Sequence, residues 1–328
     1  MYEILCPSYF CVYFDREGLI LKLVQSNAEL IQEANPYKLV ELVGRTCYKS
    51  EDKITKDSYI RFVHNLIAKK HYAMLEHGRL TFRVKGLEPY LLVGVPGVQV
   101  ARDIVRDYDS LVVSVSLSHL YNEKWTVLRL WFDPMKEIAE DVYLTGAIPA
   151  NIVHETKYGT FSLIPSEELD KYLLEHILTP EEVFKYKTIK FTCDRGVSHE
   201  LVRHRCAVAQ SSTRYCNYSK DKFGSEITFV EPSDYEFWSD EDKQHFEKFL
   251  KCCEDEYMYM VKERAFTPQQ ARAVLPNALQ TEVILTMDLD QWEHFFNLRL
   301  SGETGAPHPD MKRVAKIAYQ YFREDFEN

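Results

Sequence analysis

Residues 203–219 have the sequence RHRCAVAQSSTRYCNYS, which is the most informative stretch of the chain. Arginines and a histidine are followed by hydroxyl side chains and tyrosines, a composition poorly suited to a protein core. Arginine binds phosphate through a rigid fork and stacks on planar rings, while hydroxyls donate to phosphate oxygens and tyrosine offers a flat face. The stretch therefore predicts a site for an anionic, planar ligand, most simply one or two nucleotides.

The local geometry limits how the triplet Arg203-His204-Arg205 can act. The residues before it predict a strand over 188–193, a turn at 194–196 and a helix over 198–202. Consecutive residues point about 100° apart on a helix, so three neighbouring side chains cannot meet one small ligand from a single helical face. Either the helix frays at the triplet, or its side chains serve different ligands or different subunits. A basic, solvated helix end is the simpler alternative.

The composition narrows the class of protein. The chain has 328 residues, 45% hydrophobic and 27% charged, which is typical of a soluble globular protein. A net charge of −10 disfavours broad nucleic-acid binding but allows a local basic site for a small anion. No apolar run reaches the ~18 residues of a membrane span, and the eight cysteines include no Cys-x-x-Cys pair. We therefore expect no membrane or metal partner, and a cytoplasmic location with free thiols.

Hydrophobic spacing and capping residues predict the other elements. Residues 1–17 predict a peripheral extension, since no signal-peptide cleavage site follows their apolar run. Up to residue 86, the pattern predicts a helix from Asn35-Pro36 to Tyr48, a helix capped by Thr55, and a strand over 80–84. In the middle, it predicts strands over 90–95, 112–116 and 126–131 and a helix over 167–177. After the triplet, it predicts a strand over 227–230, a long helix through 246–261 and a short helix after a Thr267-Pro268 capping box. It then predicts a strand over 280–287 and a helix capped by Asp288 or Asp290. Asp290 and Glu293 resemble another capping box.

The triplet followed by Ser212, Arg214 and Tyr215 resembles the signature of the flavin-dependent thymidylate synthase family, although six residues rather than seven separate the triplet from the serine. Three more segments are similar to family segments in the same order: EH at 76–77, ARAVLP at 271–276 and FFNLR at 295–299. The resemblance covers roughly residues 20–86 and 187–322. It implies an α+β fold, with a mixed or antiparallel sheet flanked by helices. It also implies one domain over residues 18–328 with an atypical insertion at about 87–186.

The resemblance further implies reductive methylation of dUMP to dTMP, with methylenetetrahydrofolate giving the carbon and FAD, reduced by NADPH, giving the hydride. It implies a homotetramer with active sites at subunit interfaces. Arg299 would be the catalytic residue, stabilising negative charge on the uracil ring. The implied FAD-binding residues are His77, Arg203, His204, Arg205, Asp288 and His294. The implied dUMP-binding residues are Glu200, Arg203, Gln210, Ser211, Ser212, Thr213, Arg214, Arg272 and Arg299.

Several of these residues have structural alternatives. Arg272 and Arg299 could instead pair with carboxylates, and His77 and His294 could be helix-end histidines. Ser212 is assigned to phosphate rather than to nucleophilic attack, because no base stands at a suitable spacing. Two other functions stay open: a non-catalytic flavin- or nucleotide-binding homologue, and a single-stranded nucleic-acid-binding protein that stacks bases on its tyrosines.

Overall fold

A computed structural model of the chain describes residues 21–103, 109–144, 153–176, 181–214, 216–220 and 226–327. The predicted extension over residues 1–17 lies outside these ranges. The strands are β1 (Lys22–Val24), β2 (Asn27–Ile31), β3 (Arg79–Lys85), β4 (Gln99–Arg102), β5 (Ser110–Ser116), β6 (Val153–Thr156), β7 (Gly159–Ile164), β8 (Tyr186–Asp194), β9 (Ala207–Gln210), β10 (Thr228–Val230) and β11 (Gln280–Asp288). The α-helices are α1 (Pro36–Cys47), α2 (Ser58–Ala68), α3 (Tyr72–Leu75), α4 (Leu117–Tyr121), α5 (Arg129–Tyr143), α6 (Ser166–His176), α7 (Arg195–Leu201), α8 (Asp240–Lys262), α9 (Pro268–Ala271), α10 (Leu289–Phe296), α11 (Pro309–Tyr319) and α12 (Arg323–Phe326).

A four-stranded antiparallel sheet, in the order β2-β8-β11-β9, carries the signature triplet. Its central strands β8 and β11 pair from Gln280 opposite Asp194 to Asp288 opposite Tyr186. Side chains alternate across a strand, and the buried members of β8 include Ile189, Phe191 and Cys193. Helices α7, α10 and α11 pack on this apolar face. The sheet therefore holds the elements on both sides of the triplet at fixed positions.

A five-stranded antiparallel sheet, in the order β4-β5-β3-β7-β6, is built around the single strand β3. Its other four strands all come from the predicted insertion at about 87–186. Helices α2, α4 and α5 cover it with a second apolar core that includes Tyr59, Leu120, Trp131 and Phe132. The range of the predicted insertion thus completes a sheet on β3, which lies in the range that resembles the family.

Helix α1 packs into both halves of the molecule. Asn35 caps the helix by accepting hydrogen bonds from the backbone N–H groups of Tyr37 (2.9 Å) and Lys38 (3.2 Å), as the sequence predicts. Tyr37 belongs to the core of the five-stranded sheet, whereas Val43 packs with Ile284 of β11. Burial on both faces explains why the helix has few exposed apolar positions.

The predicted α+β class is confirmed, with antiparallel sheets and flanking helices plus a parallel pair formed by β1 and β10. In the described ranges, no helix is both long and apolar enough to cross a membrane. Most predicted elements outside the middle segment are present within a few residues.

Two strand predictions in the middle segment are wrong. Residues 90–95 form a 3-10 turn over Pro89–Leu91 followed by hydrogen-bonded turns. Residues 126–131 form a second 3-10 turn and then enter α5. The buried residues Trp131, Phe132, Met135 and Ile138 recur at helical spacing, and this period outweighs the strand propensity of Thr126-Val127. Strands β4, β6 and β7 were not predicted, and the end of the predicted helix at residue 177 lies outside the described residues.

Three smaller predictions also need correction. Asp194 is not part of a separate turn: its carboxylate accepts the Val197 N–H (2.8 Å), so α7 follows β8 directly. Thr55 does not cap α2, which begins at Ser58, although its N–H donates to the Ser58 hydroxyl. The capping box of α10 consists of Asp288 and Gln291, not of Asp290 and Glu293. Each error misplaces a helix start by one to three residues, the usual uncertainty of a helix boundary.

Candidate active site

The triplet lies in a turn between α7 and β9, because α7 ends at Leu201. Its three side chains therefore do not have to share one helical face. This agrees with the alternative in which the helix ends before the triplet. Arg203 and Arg205 are exposed. His204 is partly buried against Phe295 of α10, with the ring centroids 4.9 Å apart.

A cleft of about 400 Å³ opens beside the triplet. Of the predicted ligand residues, Arg203, His204, Arg205, His294 and Arg299 line it. His294 and Arg299 thus flank one cleft although they are five residues apart. The intervening backbone changes from α-helix to a π-helical turn over Asn297–Ser301, which ends at Gly302 in the left-handed conformation (φ 78°). π-Helical turns of this kind occur frequently at functional sites.

Arg299 is held by two other candidate residues. Its Nη1 donates to Oε2 of Glu200 at 2.6 Å, and its Nε donates to Nε2 of His204 at 3.2 Å. Because Nε2 of His204 accepts a hydrogen bond, the ring is neutral with its proton on Nδ1. Burial, together with the nearby positive charge of Arg299 and His294, lowers the pKa of His204 to about 4. The carboxylate-pairing alternative for Arg299 is therefore correct, but its partner is itself a predicted dUMP-binding residue.

The loop over residues 210–214 forms a second polar cluster with Arg272. Nη1 of Arg272 donates to Oγ1 of Thr213 at 3.3 Å, and Nε of Arg214 donates to Oε1 of Gln269 at 2.9 Å. The backbone of Ser212 is tied to Cys47 of α1 by an N–H···O bond of 3.1 Å. Within the described ranges, no carboxylate lies within 4.0 Å of the Arg272 guanidinium, so the pairing alternative is not found for this arginine.

Two polar side chains of the loop have hydrogen-bonding groups that no described residue uses. The Nε2 of Gln210 and the Oγ of Ser211 are buried, and neither has a hydrogen-bond partner among the described residues. Buried polar groups without partners are uncommon in folded proteins. Together with Thr213 and Arg272, they make the loop a suitable site for a phosphate ester.

His77 and Asp288 line neither the triplet cleft nor the loop cluster and are buried, with 1% and 4% of their surfaces exposed. Nδ1 of His77 is 2.8 Å from the Thr286 hydroxyl, and burial lowers the pKa of this histidine to about 3. The Asp288 carboxylate caps α10 by accepting the Gln291 N–H (2.8 Å), and burial raises its pKa. The capping role occupies one carboxylate oxygen of Asp288. No observation tests the contact of this residue with FAD, which stays a prediction. Among the described residues, no group of three His, Cys, Asp or Glu side chains is arranged to hold a metal ion.

Comparison with known proteins identifies the family. Residues 29–92 and 150–326 match the model of the family described as thymidylate synthase complementing protein. The chain belongs to this family. All predicted site residues lie in the matched ranges, and the unmatched stretch 93–149 falls inside the predicted insertion.

Relatives of the thymidylate synthase complementing family support the same assignment. The chain is 33% identical over 149 residues to a flavin-dependent thymidylate synthase from Pyrococcus furiosus, which covers 43% of this chain and 58% of that protein. It is 38% identical over 136 residues to one from Geobacter sulfurreducens, covering 40% and 56%. The chain thus spans little more than half the length of each relative. Among solved structures, a UMP/dUMP methylase from Streptomyces cacaoi bound with 5-Br dUMP has a TM-score of 0.38 and 13% identity, with 93% of each chain covered.

The family motifs do not reveal one polar residue near the site, Arg79 at the start of β3. Its guanidinium carbon lies 4.1 Å from the centroid of the Tyr186 ring, and it lines cavities on both sides of that contact. The only sequence signal is its position two residues after His77. Its partners Gly97, Gln99 and Ser114 belong to the stretch that the family model does not match.

Proposed function

We propose that the protein catalyses the reductive methylation of dUMP to dTMP, with methylenetetrahydrofolate as the carbon donor and FAD, reduced by NADPH, as the hydride carrier. The observation that carries this proposal is the convergence of Arg203, His204, Arg205, His294 and Arg299 on one cleft, in a chain of the thymidylate synthase complementing family. These residues come from two segments about ninety residues apart, so their meeting is a property of the fold.

The cleft offers positive charge and a planar side chain to a flavin dinucleotide. Arg203 and Arg205 offer charge-assisted hydrogen bonds to phosphate, and the partly buried His204 ring offers a planar face. The volume of about 400 Å³ is within the range of small-molecule sites. When bound, the flavin would supply hydride chemistry that no side chain provides. The chain's own residues would bind and orient it.

The second cluster suits the phosphate of dUMP. Arg272 contacts Thr213, Arg214 contacts Gln269 of α9, and the buried amide of Gln210 and hydroxyl of Ser211 have donors to offer. Arg299 would stabilise negative charge on the uracil ring, while Glu200 and His204 hold its guanidinium in one orientation. Glu200 also prevents this guanidinium from turning toward bulk solvent.

We further infer a homotetramer with shared active sites. Within one protomer, the lining of the triplet cleft contains neither Arg272 nor any residue of the 210–214 loop. A second subunit that brings its own loop to the cleft would unite the two clusters. Light scattering of the purified protein gives the subunit number, and a monomer with full activity would contradict this inference.

An absorbance spectrum and an activity assay test the function. We expect a flavin spectrum with maxima in the visible range, and dTMP formation from dUMP that requires methylenetetrahydrofolate and NADPH. A flavin-containing protein without dTMP formation would instead favour the non-catalytic alternative. A protein without flavin that binds single strands in a steeply salt-dependent way would favour the nucleic-acid alternative.

Arg299→Ala tests the catalytic assignment. Loss of one preorganised charged donor costs about 10²–10³ in rate by analogy with oxyanion-hole deletions, so dTMP formation should fall at least that far. Flavin binding should persist, since the triplet is intact. Arg264→Ala is the matched control, because Arg264 is exposed and lines no described cavity of the site. Normal turnover by the Arg299 variant would refute the assignment.

A further inference from the structure

A second cavity, of about 380 Å³, adjoins the triplet cleft and shares Arg205 and Gln291 with it. The stretch 93–149, which the family model does not match, contributes Pro96, Gly97, Gln99, Ser116 and His119 to its wall. The insertion is therefore not only a peripheral layer. It forms part of the surface that a ligand of the triplet would meet.

The cavity contains a cation, Arg79, that has no carboxylate at ion-pair distance among the described residues, although Glu76 and Asp288 act on it at longer range. Its Nη2 donates to the Gly97 carbonyl (2.9 Å), to Oε1 of Gln99 (2.7 Å) and to the Ser114 hydroxyl (3.3 Å), all neutral acceptors. Its Nε is buried and makes no hydrogen bond to any described residue. Within the same ranges, no carboxylate approaches the guanidinium to ion-pair distance.

A partly buried cation without a carboxylate in contact gains from a ligand that balances its charge. Arg79 also stacks on Tyr186, which fixes the plane of its guanidinium. Arg205 adds a second positive charge to the wall, and Glu76 is the one carboxylate among the described residues that line it. The arrangement favours an anion with several acceptor oxygens.

His119 positions the wall that holds Arg79. Its Nε2 donates to the Pro96 carbonyl at 3.0 Å, and its Nδ1 accepts from the Ser116 hydroxyl at 2.8 Å. Its ring also stacks on Trp125, with centroids 5.3 Å apart. The next residue after Pro96 is Gly97, which adopts a left-handed φ of 78° and presents its carbonyl to Arg79. His119 thus acts on Arg79 through the Pro96-Gly97 turn.

We propose that this cavity binds the diphosphate of a dinucleotide, with Arg79 and Arg205 as its cations, and that the insertion builds the subsite by holding Arg79 through Gly97 and Gln99. The dinucleotide is FAD or NADPH, both of which carry a diphosphate. Only the identity of the ligand rests on the proposed function. The anion subsite itself rests on the cavity and on the lack of a carboxylate in contact with Arg79 among the described residues.

The variant Gln99→Glu tests the subsite without changing its shape. It places a carboxylate where Oε1 now accepts from Arg79, so it balances the guanidinium and repels phosphate. Calorimetric titration of the full-length protein with inorganic pyrophosphate should show binding weakened about 10- to 100-fold. Arg79→Gln should weaken it to a similar extent. Should Arg79→Gln fail to fold, the isosteric Gln99 variant still decides.

Gln244→Glu is the matched control, because it makes the same change of charge on the exposed surface of α8. We expect its pyrophosphate affinity to stay within about twofold of the wild type. Unchanged binding by Gln99→Glu, or an equal loss in Gln244→Glu, would overturn the subsite. Parallel titrations with FAD and NADPH then identify the dinucleotide that binds in the cavity. It is the one whose affinity falls in the Gln99→Glu variant.

The outcome is separable from that of the proposed function. Pyrophosphate binding that depends on Gln99 in a protein that forms no dTMP would refute the function and keep the subsite. Formation of dTMP by a protein whose Gln99→Glu variant binds pyrophosphate normally would refute the subsite alone.

Discussion

In the four-stranded sheet, strands lead directly into helices that carry charged side chains toward the triplet cleft: β8 runs into α7 with Glu200, and β11 runs into α10 and Arg299. In the five-stranded sheet, the strands themselves supply the polar residues, Arg79 from β3 and Gln99 from β4. The first sheet thus positions side chains at its ends, and the second closes a wall beside them. The family-matched ranges carry the signature residues and also β3, β6 and β7, whereas the unmatched stretch 93–149 supplies β4 and β5 of the second sheet.

The largest expected effect is the loss of stability when a buried phenylalanine is truncated in either of the two cores. Phe295 in the core of the four-stranded sheet and Phe132 in that of the five-stranded sheet are both fully buried. Truncating either to alanine should cost about 3–5 kcal/mol. Since α1 packs into both cores, we expect each variant to lower one common unfolding transition. Calorimetry measures this, and two separable transitions would show that the insertion folds as its own unit.

The functional consequences of the two truncations should differ. Phe295 contacts the His204 ring, whereas Phe132 contacts the His119 ring at a centroid distance of 6.0 Å. At a temperature where both variants are folded, Phe295→Ala should mainly lower turnover. Phe132→Ala should mainly weaken pyrophosphate binding through the Pro96-Gly97 turn. The reverse pattern would contradict the assignment of turnover to the four-stranded sheet and of pyrophosphate binding to the five-stranded sheet.

The next effect is a pH dependence of stability that centres on His77. Burial lowers its pKa from about 6.5 to about 3, so between these values the unfolded chain binds a proton that the folded protein excludes. Stability is therefore fully present above pH 6.5 and falls as the pH decreases, by about 2 kcal/mol for this one group between pH 7 and 5. Denaturant unfolding at both pH values measures the difference.

His77→Gln is the informative variant, because glutamine does not titrate and its amide can still bond the Thr286 hydroxyl. The loss of stability between pH 7 and 5 should shrink by about the His77 share. His204 and His119, whose pKa values are also lowered to about 4, should account for part of the remainder. An unchanged pH dependence in His77→Gln would mean that this histidine is solvated or protonated in the folded protein.

The contrast between the sheets also explains what the sequence could reveal. Capping residues and apolar alternation predicted α1, β8 and β11, because short-range patterns determine these elements. The signature predicted the cleft residues but not the pairing of Arg299 with Glu200. That pairing depends on a π-helical turn, which no local sequence pattern predicts. In the middle segment, the strand prediction over 126–131 falls on the 3-10 turn before α5 and on the first residues of α5. The pattern does not reveal β4, because the register of that strand depends on pairing with β5. The role of Arg79 was invisible, since its partners lie 18 to 35 residues away.

The smallest effect concerns how the insertion is attached to the rest of the chain. The hydroxyls of Tyr37 in α1 and Tyr121 in α4 lie 2.8 Å apart in the buried core, and burial raises the pKa of both tyrosines. Tyr37→Phe should cost about 1–3 kcal/mol, because it leaves a buried hydroxyl without this partner. The double variant with Tyr121→Phe should cost less than the sum of the single variants, as chemical denaturation of all three will measure.

A surface contact between the same two parts provides the control. Lys70 and Glu123 form an ion pair of 3.4 Å in which both side chains are mostly exposed. Lys70→Ala should change the free energy of unfolding by at most about 0.5 kcal/mol, because water and salt screen such a pair. If instead the tyrosine variants were additive and near zero while Lys70→Ala was costly, surface charge would hold the insertion in place. The five-stranded sheet would then be a loosely docked layer, and the cavity wall around Arg79 would share that looseness.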